Sequence, residues 1–204
     1  MAAGLEATAI YHSPELLPAW EHGGDEVTPR VLARMSYRAE PEGVLGVFAT
    51  PAARMPESPT LVLVAVGIEK PGNLGALARS ADAAGADALA VADAECDPWN
   101  PNAIRASTGA VFTLPIVETT IAEVLALPLQ KVAAVVDANT PHTDADLTRP
   151  TAFLVGAEDD GLPEDWRTAA DLEVTIPMHD RGVDSLNASA AAAVLLFEAV
   201  RQRG

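Results

Sequence analysis

The sequence predicts an α/β fold built on a mainly parallel sheet with helices on both faces. Short apolar runs alternate with helix-periodic segments from residue 60 to the end, the signature of strands connected by covering helices. Those runs are rich in Val, Leu and Ala with no regular polar interruption, as strands buried on both faces must be. Glycine and proline mark the handovers, as at Gly85 and Pro177.

The elements follow in order. Residues 8–11 fit a strand. Thr28-Pro29 starts a helix, a hydroxyl cap followed by proline at the first helical position, with Val31, Leu32 and Met35 along one side. Residues 43–49 fit a short apolar strand. Pro51, Pro56 and Pro59 then punctuate a linker over 51–59. Residues 1–50 hold few apolar anchors and would be marginal alone, so they are expected to lean on the rest. Strands are expected at 61–66, 88–91, 111–114, 131–136, 151–155 and 172–176. Helices are expected at 73–84, 102–107, 120–127, 163–170 and 189–202.

Composition narrows function. The chain has 204 residues, is 49% hydrophobic, has a mean hydropathy of +0.16 and can bury a sizeable core. Cys96 is the one cysteine, which rules out an internal disulfide and points to an ordinary thiol in a reducing cytoplasm. No secretory leader is expected at the N-terminus, and no run is long enough for a membrane span. The net charge of −16 argues against a nucleic-acid partner. Its distribution softens that, with Arg30, Arg34, Arg38 and Arg54 early, Lys70, Arg79 and Arg105 in the middle, and Arg181, Arg201 and Arg203 late.

Several chemistries lack their motifs. No G-x-G-x-x-G follows the first strand of the alternating region, and there is no P-loop spacing and no G-x-S-x-G. His12, His22, His142 and His179 show no metal-ligand spacing, so no metal is expected.

Three segments place polar residues where apolar runs stop. Lys70-Pro71-Gly72-Asn73-Leu74-Gly75 through Arg79 is the first. On one continuous helix Asn73 and Arg79 would stand about 120° apart, so they converge only if Asn73 sits in the turn or at the cap. Gly72 and Gly75 would allow a ligand backbone or phosphate to approach. A capped helix with a surface arginine explains the segment equally well. The second is Leu154-Val155-Gly156-Ala157-Glu158 with Gly161, in which Glu158 emerges at a strand's carboxyl end, as a functional group or a cap. The third, Ser185-Leu186-Asn187-Ala188-Ser189, opens an alanine-rich helix, and plain capping accounts for it. Ile176-Pro177-Met178 ends the strand before it.

Together, in this order, the three segments resemble the motifs of the SpoU-type (TrmH-like) RNA ribose 2′-O-methyltransferases of the SPOUT superfamily. The likeness covers residues 61–203 and includes Asn102-Ala103-Ile104-Arg105-Ala106-Ser107-Thr108-Gly109-Ala110. Residues 25–50 resemble the last part of a ribosomal-protein-like RNA-binding domain, whose first half is expected to be absent. The resemblance implies an α/β methyltransferase domain over 60–204 with a deep C-terminal trefoil knot, preceded by a partial RNA-binding segment over 1–50. It implies S-adenosylmethionine (AdoMet) as methyl donor, a homodimer, RNA as substrate and a cytoplasmic location. The N-terminal segment favours ribosomal over transfer RNA. The rival is a protein of the same fold that binds cofactor or RNA without turnover.

Carried over residue by residue, the resemblance implies a catalytic set of Asn73, Arg79, Glu158, Ser185 and Asn187. The cofactor loops would be Leu154, Val155 and Gly156, then Ile176, Pro177 and Met178, then Leu186 and Asn187. A guanidinium does not give up its proton in proteins, so Arg79 would stabilise a developing alkoxide or clamp the adjacent phosphate. Asn73 and Glu158 would orient it, while Ser185 and Asn187 hold the cofactor and dimer loops. Two departures from the family pattern stand out. Residues 179–184 are longer and more charged than usual, and Ala188 and Ala190 replace bulkier side chains.

Overall fold

The computed structural model describes residues 5–179 and 185–204. The chain divides into two compact units, Met1–Ala52 and Ala53–Gly204.

In the first unit, β1 (Ala7–His12) pairs in parallel with β2 (Asp25–Glu26) and antiparallel with β3 (Val44–Phe48), giving the order β2-β1-β3. Helix α1 (Pro29–Ser36) lies between β2 and β3 in sequence. Thr28 caps it by accepting the Val31 N–H at 3.4 Å, with Pro29 next in line. Among the described residues of this unit Leu32 is the one fully buried large apolar side chain, while Val47 and Phe48 stay over 40% exposed. That is the thin core expected of so short a segment.

The second unit follows the alternating pattern: β4 (Leu61–Val66), α2 (Pro71–Ala83), β5 (Ala88–Ala92), α3 (Pro101–Ala106), β6 (Ile116–Thr119), α4 (Ile121–Ala126), β7 (Gln130–Ala134), β8 (Thr151–Val155), α5 (Glu164–Thr168), β9 (Leu172–Val174) and α6 (Ala188–Arg203). Every strand pair is parallel, in the order β6-β5-β4-β8-β7-β9. Side-chain alternation divides the core in two. Leu61, Leu63 and Ala65 of β4 join α2 and α6 on one face, and Val62, Val64 and Val66 join Val124 of α4 and Trp166 of α5 on the other.

One expected strand is absent. Residues 111–114 lie in a 3-10 turn over Ala110–Phe112 and its exit, and the strand begins after Pro115. The apolar signal was genuine, since Val111 and Leu114 are buried. However, Thr108 and Gly109 both take left-handed backbone angles that turn the chain, and Pro115 cannot donate to a ladder.

The topology fixes where a site can be. The chain steps outward through β4, β5 and β6, then returns to lay β8 against the other edge of β4. Ligands in such sheets bind outside the carboxyl ends of the strands where the order reverses. The loop leaving β4 carries Lys70 and leads into Asn73 in the first turn of α2, and the loop leaving β8 carries Glu158.

Candidate functional site

Helix α2 begins two residues before the expected point, with Pro71 at its first position and Lys70 as N-cap. Asn73 therefore lies inside the first turn, not ahead of the helix. Asn73 and Arg79 share one continuous helix, and the separation of about 120° applies. Arg79 is exposed and makes no hydrogen bond or ion pair with any described residue. The structure does not place Asn73 or Glu158 to orient it.

It does bring Asn73, Glu158 and Asn187 together. Asn187 caps α6, accepting the Ser189 N–H at 3.0 Å and the Ser189 hydroxyl at 2.6 Å on Oδ1. An N–H can only donate, so that contact fixes the amide orientation and turns Nδ2 the other way. There Nδ2 donates to Asn73 Oδ1 at 3.2 Å and to Glu158 Oε1. Lys70 Nζ completes the cluster at 3.1 Å from Glu158 Oε2. The Lys70 hydrogen bond is the main influence holding the Glu158 carboxyl below the usual carboxylate range. Partial burial opposes it, and Asn73, the Lys70 charge and the Ala188 N–H reinforce it. Glu158 is thus ionised and ties the loops after β4 and β8 to the start of α6.

The glycines divide differently from the sequence reading. Gly72 has open space around it, as a ligand approach requires. Gly75 is buried instead. A Cβ there would strike the Ala103 carbonyl oxygen and come within 2.8 Å of Ala106 Cβ and 2.9 Å of the Ser107 nitrogen. Its role is close α2–α3 packing. Gly156 has no room either, because residues 157–161 fold back against it. Gly161 N donates to Ala157 O at 3.0 Å, and Gly161 holds φ +70, a left-handed angle suited to glycine.

Beside this loop a cleft of about 440 Å³ opens at the carboxyl ends of β7, β8 and β9. Val155, Gly156, Ile176, Met178, Ser185 and Leu186 line it. Leu154 does not. It is fully buried in the opposite core cluster, because neighbouring strand residues face opposite ways. Pro177 is exposed outside the lining, and Asn187 turns toward Glu158.

Several lining residues were not anticipated from sequence, among them Asp137, Asp159, Asp160 and Arg167. Arg167 ties β9 to the loop after β7, bonding Glu173 at 2.8 Å and Asp137 at 3.1 Å. The Glu173 hydrogen bond comes first among the influences that push its guanidinium up. The one signal for Asp137 was its place just past an expected strand. Of residues 179–184, only His179 lies among the described residues. Among the described residues, no trio of His, Cys, Asp or Glu is placed to hold a metal, and no helix is long and apolar enough to cross a membrane. Burial pushes the Cys96 thiol up, with the Asp97 charge adding to it, which suits an unreactive thiol.

This arrangement has counterparts. Residues 60–197 match the model of the SpoU rRNA Methylase family. A 23S rRNA (uridine(2479)-2′-O)-methyltransferase of Streptomyces viridochromogenes is 41% identical over 143 residues, covering 65% of this chain and 50% of the relative. A 23S rRNA (guanosine-2′-O-)-methyltransferase of Nitrosomonas europaea is 38% identical over 149 residues, covering 71% and 57%. The chain thus spans little more than half the length of these curated relatives. The crystal structure of the SpoU methyltransferase AviRb from Streptomyces viridochromogenes, in complex with AdoMet, superposes with a TM-score of 0.84 at 32% identity, covering 98% of this chain and 85% of that one. A family match over two thirds of the sequence, carried on the parallel sheet with its cleft beside the β4/β8 switch point, places the chain in the SpoU rRNA methylase family.

Proposed function

We propose that this chain is an AdoMet-dependent RNA methyltransferase that modifies a ribose 2′-hydroxyl, with ribosomal RNA as the substrate. The observation that carries the reading is the juxtaposition at the β4/β8 switch point of the Asn73–Glu158–Asn187 cluster with the adjoining cleft. The named activities of the relatives support the reaction and the substrate class.

The cleft suits the cofactor. Its volume falls within the roughly 300–1,000 Å³ of small-molecule sites. Gly156 lines the cleft too, and lacks a side chain because the Gly161 main chain packs directly against it. Val155, Ile176, Met178 and Leu186 offer apolar faces for an adenine ring, and Asp137, Asp159 and Asp160 favour a cationic ligand. Bound AdoMet supplies an electrophilic methyl group on a sulfonium.

The chain's own residues do the rest. A neutral ribose hydroxyl is a weak nucleophile and must lose its proton as the new bond forms. Arg79, exposed and uncommitted among the described residues, stabilises the developing alkoxide or holds the adjacent phosphate. Lys70 keeps Glu158 ionised. Glu158 and Asn73 grip the Asn187 amide and so set the start of α6 against the cleft. Ser185 lines the cleft beside Leu186 and contributes to cofactor positioning.

The reading includes a deep C-terminal trefoil knot, an exception to the rule of unthreaded chains. Family membership supports it, as does the insertion of β8 between β4 and β7. It also includes a homodimer, supported by Val194, Phe197 and Val200, an exposed apolar row on α6 that a second copy would cover. Residues 1–50 serve as a partial RNA-binding segment joined by a linker over 51–59 to the methyltransferase domain, and the protein works in the cytoplasm without a metal. The acidic charge favours one rival, a cofactor-binding protein without turnover. Incubating the purified chain with labelled AdoMet and 23S rRNA, then digesting to nucleosides, separates the two. A labelled 2′-O-methylnucleoside supports the enzyme, and cofactor binding without transfer supports the rival.

A further inference from the structure

The first unit carries a surface that methyl transfer leaves unused. Residues 27–39 hold three arginines and no carboxylate, in a chain whose net charge is −16. Helical spacing sets Arg30 and Arg34 on one face of α1, about 6 Å apart along its axis, close to the separation of neighbouring phosphates on one strand. Tyr37 follows directly as the residue that caps the helix, three residues after Arg34. All three are exposed, and Tyr37 is 84% exposed. Arg38 is committed to Glu42 at 2.6 Å, whereas Arg30 and Arg34 make no hydrogen bond or ion pair with any described residue.

Tyr37 is the telling residue. It caps α1 with φ 52 and ψ 36, its N–H bonded to Ala33 O. That left-handed conformation crowds a β-carbon, and glycine or asparagine would hold the same turn with less strain. Neither packing nor the backbone explains a large aromatic ring standing in solvent there.

We propose that Arg30, Arg34 and Tyr37 form a contact surface for a single-stranded RNA segment, the two guanidiniums on neighbouring phosphates and the Tyr37 ring stacked on an unpaired base. Two unpaired guanidiniums side by side select an anion with neighbouring charges, and the carboxylates Asp25, Glu26, Glu40 and Glu42 flank the segment on both sides. An exposed aromatic face selects a single strand, because a duplex keeps its base faces stacked away. The proposal rests on the RNA reading above and names the part of the chain that grips the substrate away from the reacting ribose.

The test is fluorescence anisotropy of the full chain with a labelled 23S rRNA transcript and a labelled oligouridylate over a range of salt. Replacing both Arg30 and Arg34 with glutamine should weaken binding and reduce the slope of log affinity against log salt by about 1.4. Tyr37→Ala should cost about 5-fold to 100-fold in affinity with the slope unchanged, and Tyr37→Phe should bind as wild type. Tyr37→Gly separates function from folding, since it should unfold at no lower urea concentration yet bind as weakly as Tyr37→Ala. Unchanged affinity and slope in all the variants, with methyl transfer by the wild type intact, overturn this proposal alone and leave the surface to a protein partner. A wild-type chain that binds no RNA overturns both readings.

Discussion

Asn187 makes two kinds of contact that one substitution can pull apart. Its Oδ1 caps α6, while its Nδ2 donates to Glu158 and Asn73. Asn187→Asp keeps a good cap but turns the donor into a second carboxylate facing the first. Asn187→Ala loses the cap and the donor together. The cap contributes about 1 kcal/mol. Two unit charges some 4 Å apart repel by about 1 kcal/mol in water and about 4 kcal/mol at an effective dielectric of 20. The Glu158 side chain is 20% exposed and Asn187 is exposed, so the lower part of that range applies, about 1–2 kcal/mol.

The assay is urea unfolding at pH 7 and near pH 4. Asn187→Ala should lose about 1 kcal/mol near pH 4, from the cap, and more at pH 7, where the bond to ionised Glu158 is lost as well. Asn187→Asp should lose about 1–2 kcal/mol at pH 7 and recover most of it in acid. The sign follows from charge. The new carboxylate raises the folded-state titration of Glu158 above its wild-type position, so protonation relieves the repulsion as pH falls. At pH 7 a loss of this size, if it also falls on the transition state, slows methyl transfer about tenfold. A deficit for Asn187→Asp that is the same at both pH values would refute the contact between Nδ2 and Glu158.

Three further outcomes follow from the same structure. Gly75→Ala gains about 1 kcal/mol of helix propensity but drives a methyl into the α3 backbone at a cost of about 1–3 kcal/mol, so urea unfolding should show a net loss approaching 2 kcal/mol. Arg79→Ala should bind AdoMet as wild type by calorimetry while methyl transfer falls by about 100-fold or more, and unimpaired transfer would remove Arg79 from the chemistry. Asp87 accepts the Thr60 and Leu61 N–H groups at 2.7 and 3.0 Å, and these bonds outweigh burial to hold its carboxyl low. A depressed folded value means stability present above the ordinary aspartate range and lost as pH falls through the folded value. Asp87→Asn should therefore cost about 1–2 kcal/mol at pH 7 and progressively less in acid.

The sheet was readable in the sequence where strands are buried on both faces. Residues 61–66 and 151–155 appear as strands over those same spans, because uninterrupted apolar runs have no other use in a parallel sheet. Residues 111–114 were misread because burial alone does not distinguish a strand from a buried 3-10 turn. The deciding information lay in the left-handed pair Thr108-Gly109 and in Pro115. At the site, the positions of Asn73, Glu158 and Asn187 at element boundaries were legible. Their mutual hydrogen bonds were not, since Asn187 lies 114 residues from Asn73 and no local rule joins them. Leu154 illustrates the finer limit, because a cofactor loop assigned as a continuous stretch ignores strand alternation. Arg167 was missed for a related reason, since only the pairing of β7 with β9 brings its two carboxylate partners within reach.

In the proposed reaction a ribose 2′-hydroxyl of ribosomal RNA receives the methyl group. Mapping ribose methylation across ribosomal RNA, from cells with the gene, without it, and carrying only Arg79→Ala, tests that most directly. One 2′-O-methyl site should be present with the wild-type gene and lost in the other two strains. A methylation map identical in all three strains would contradict it.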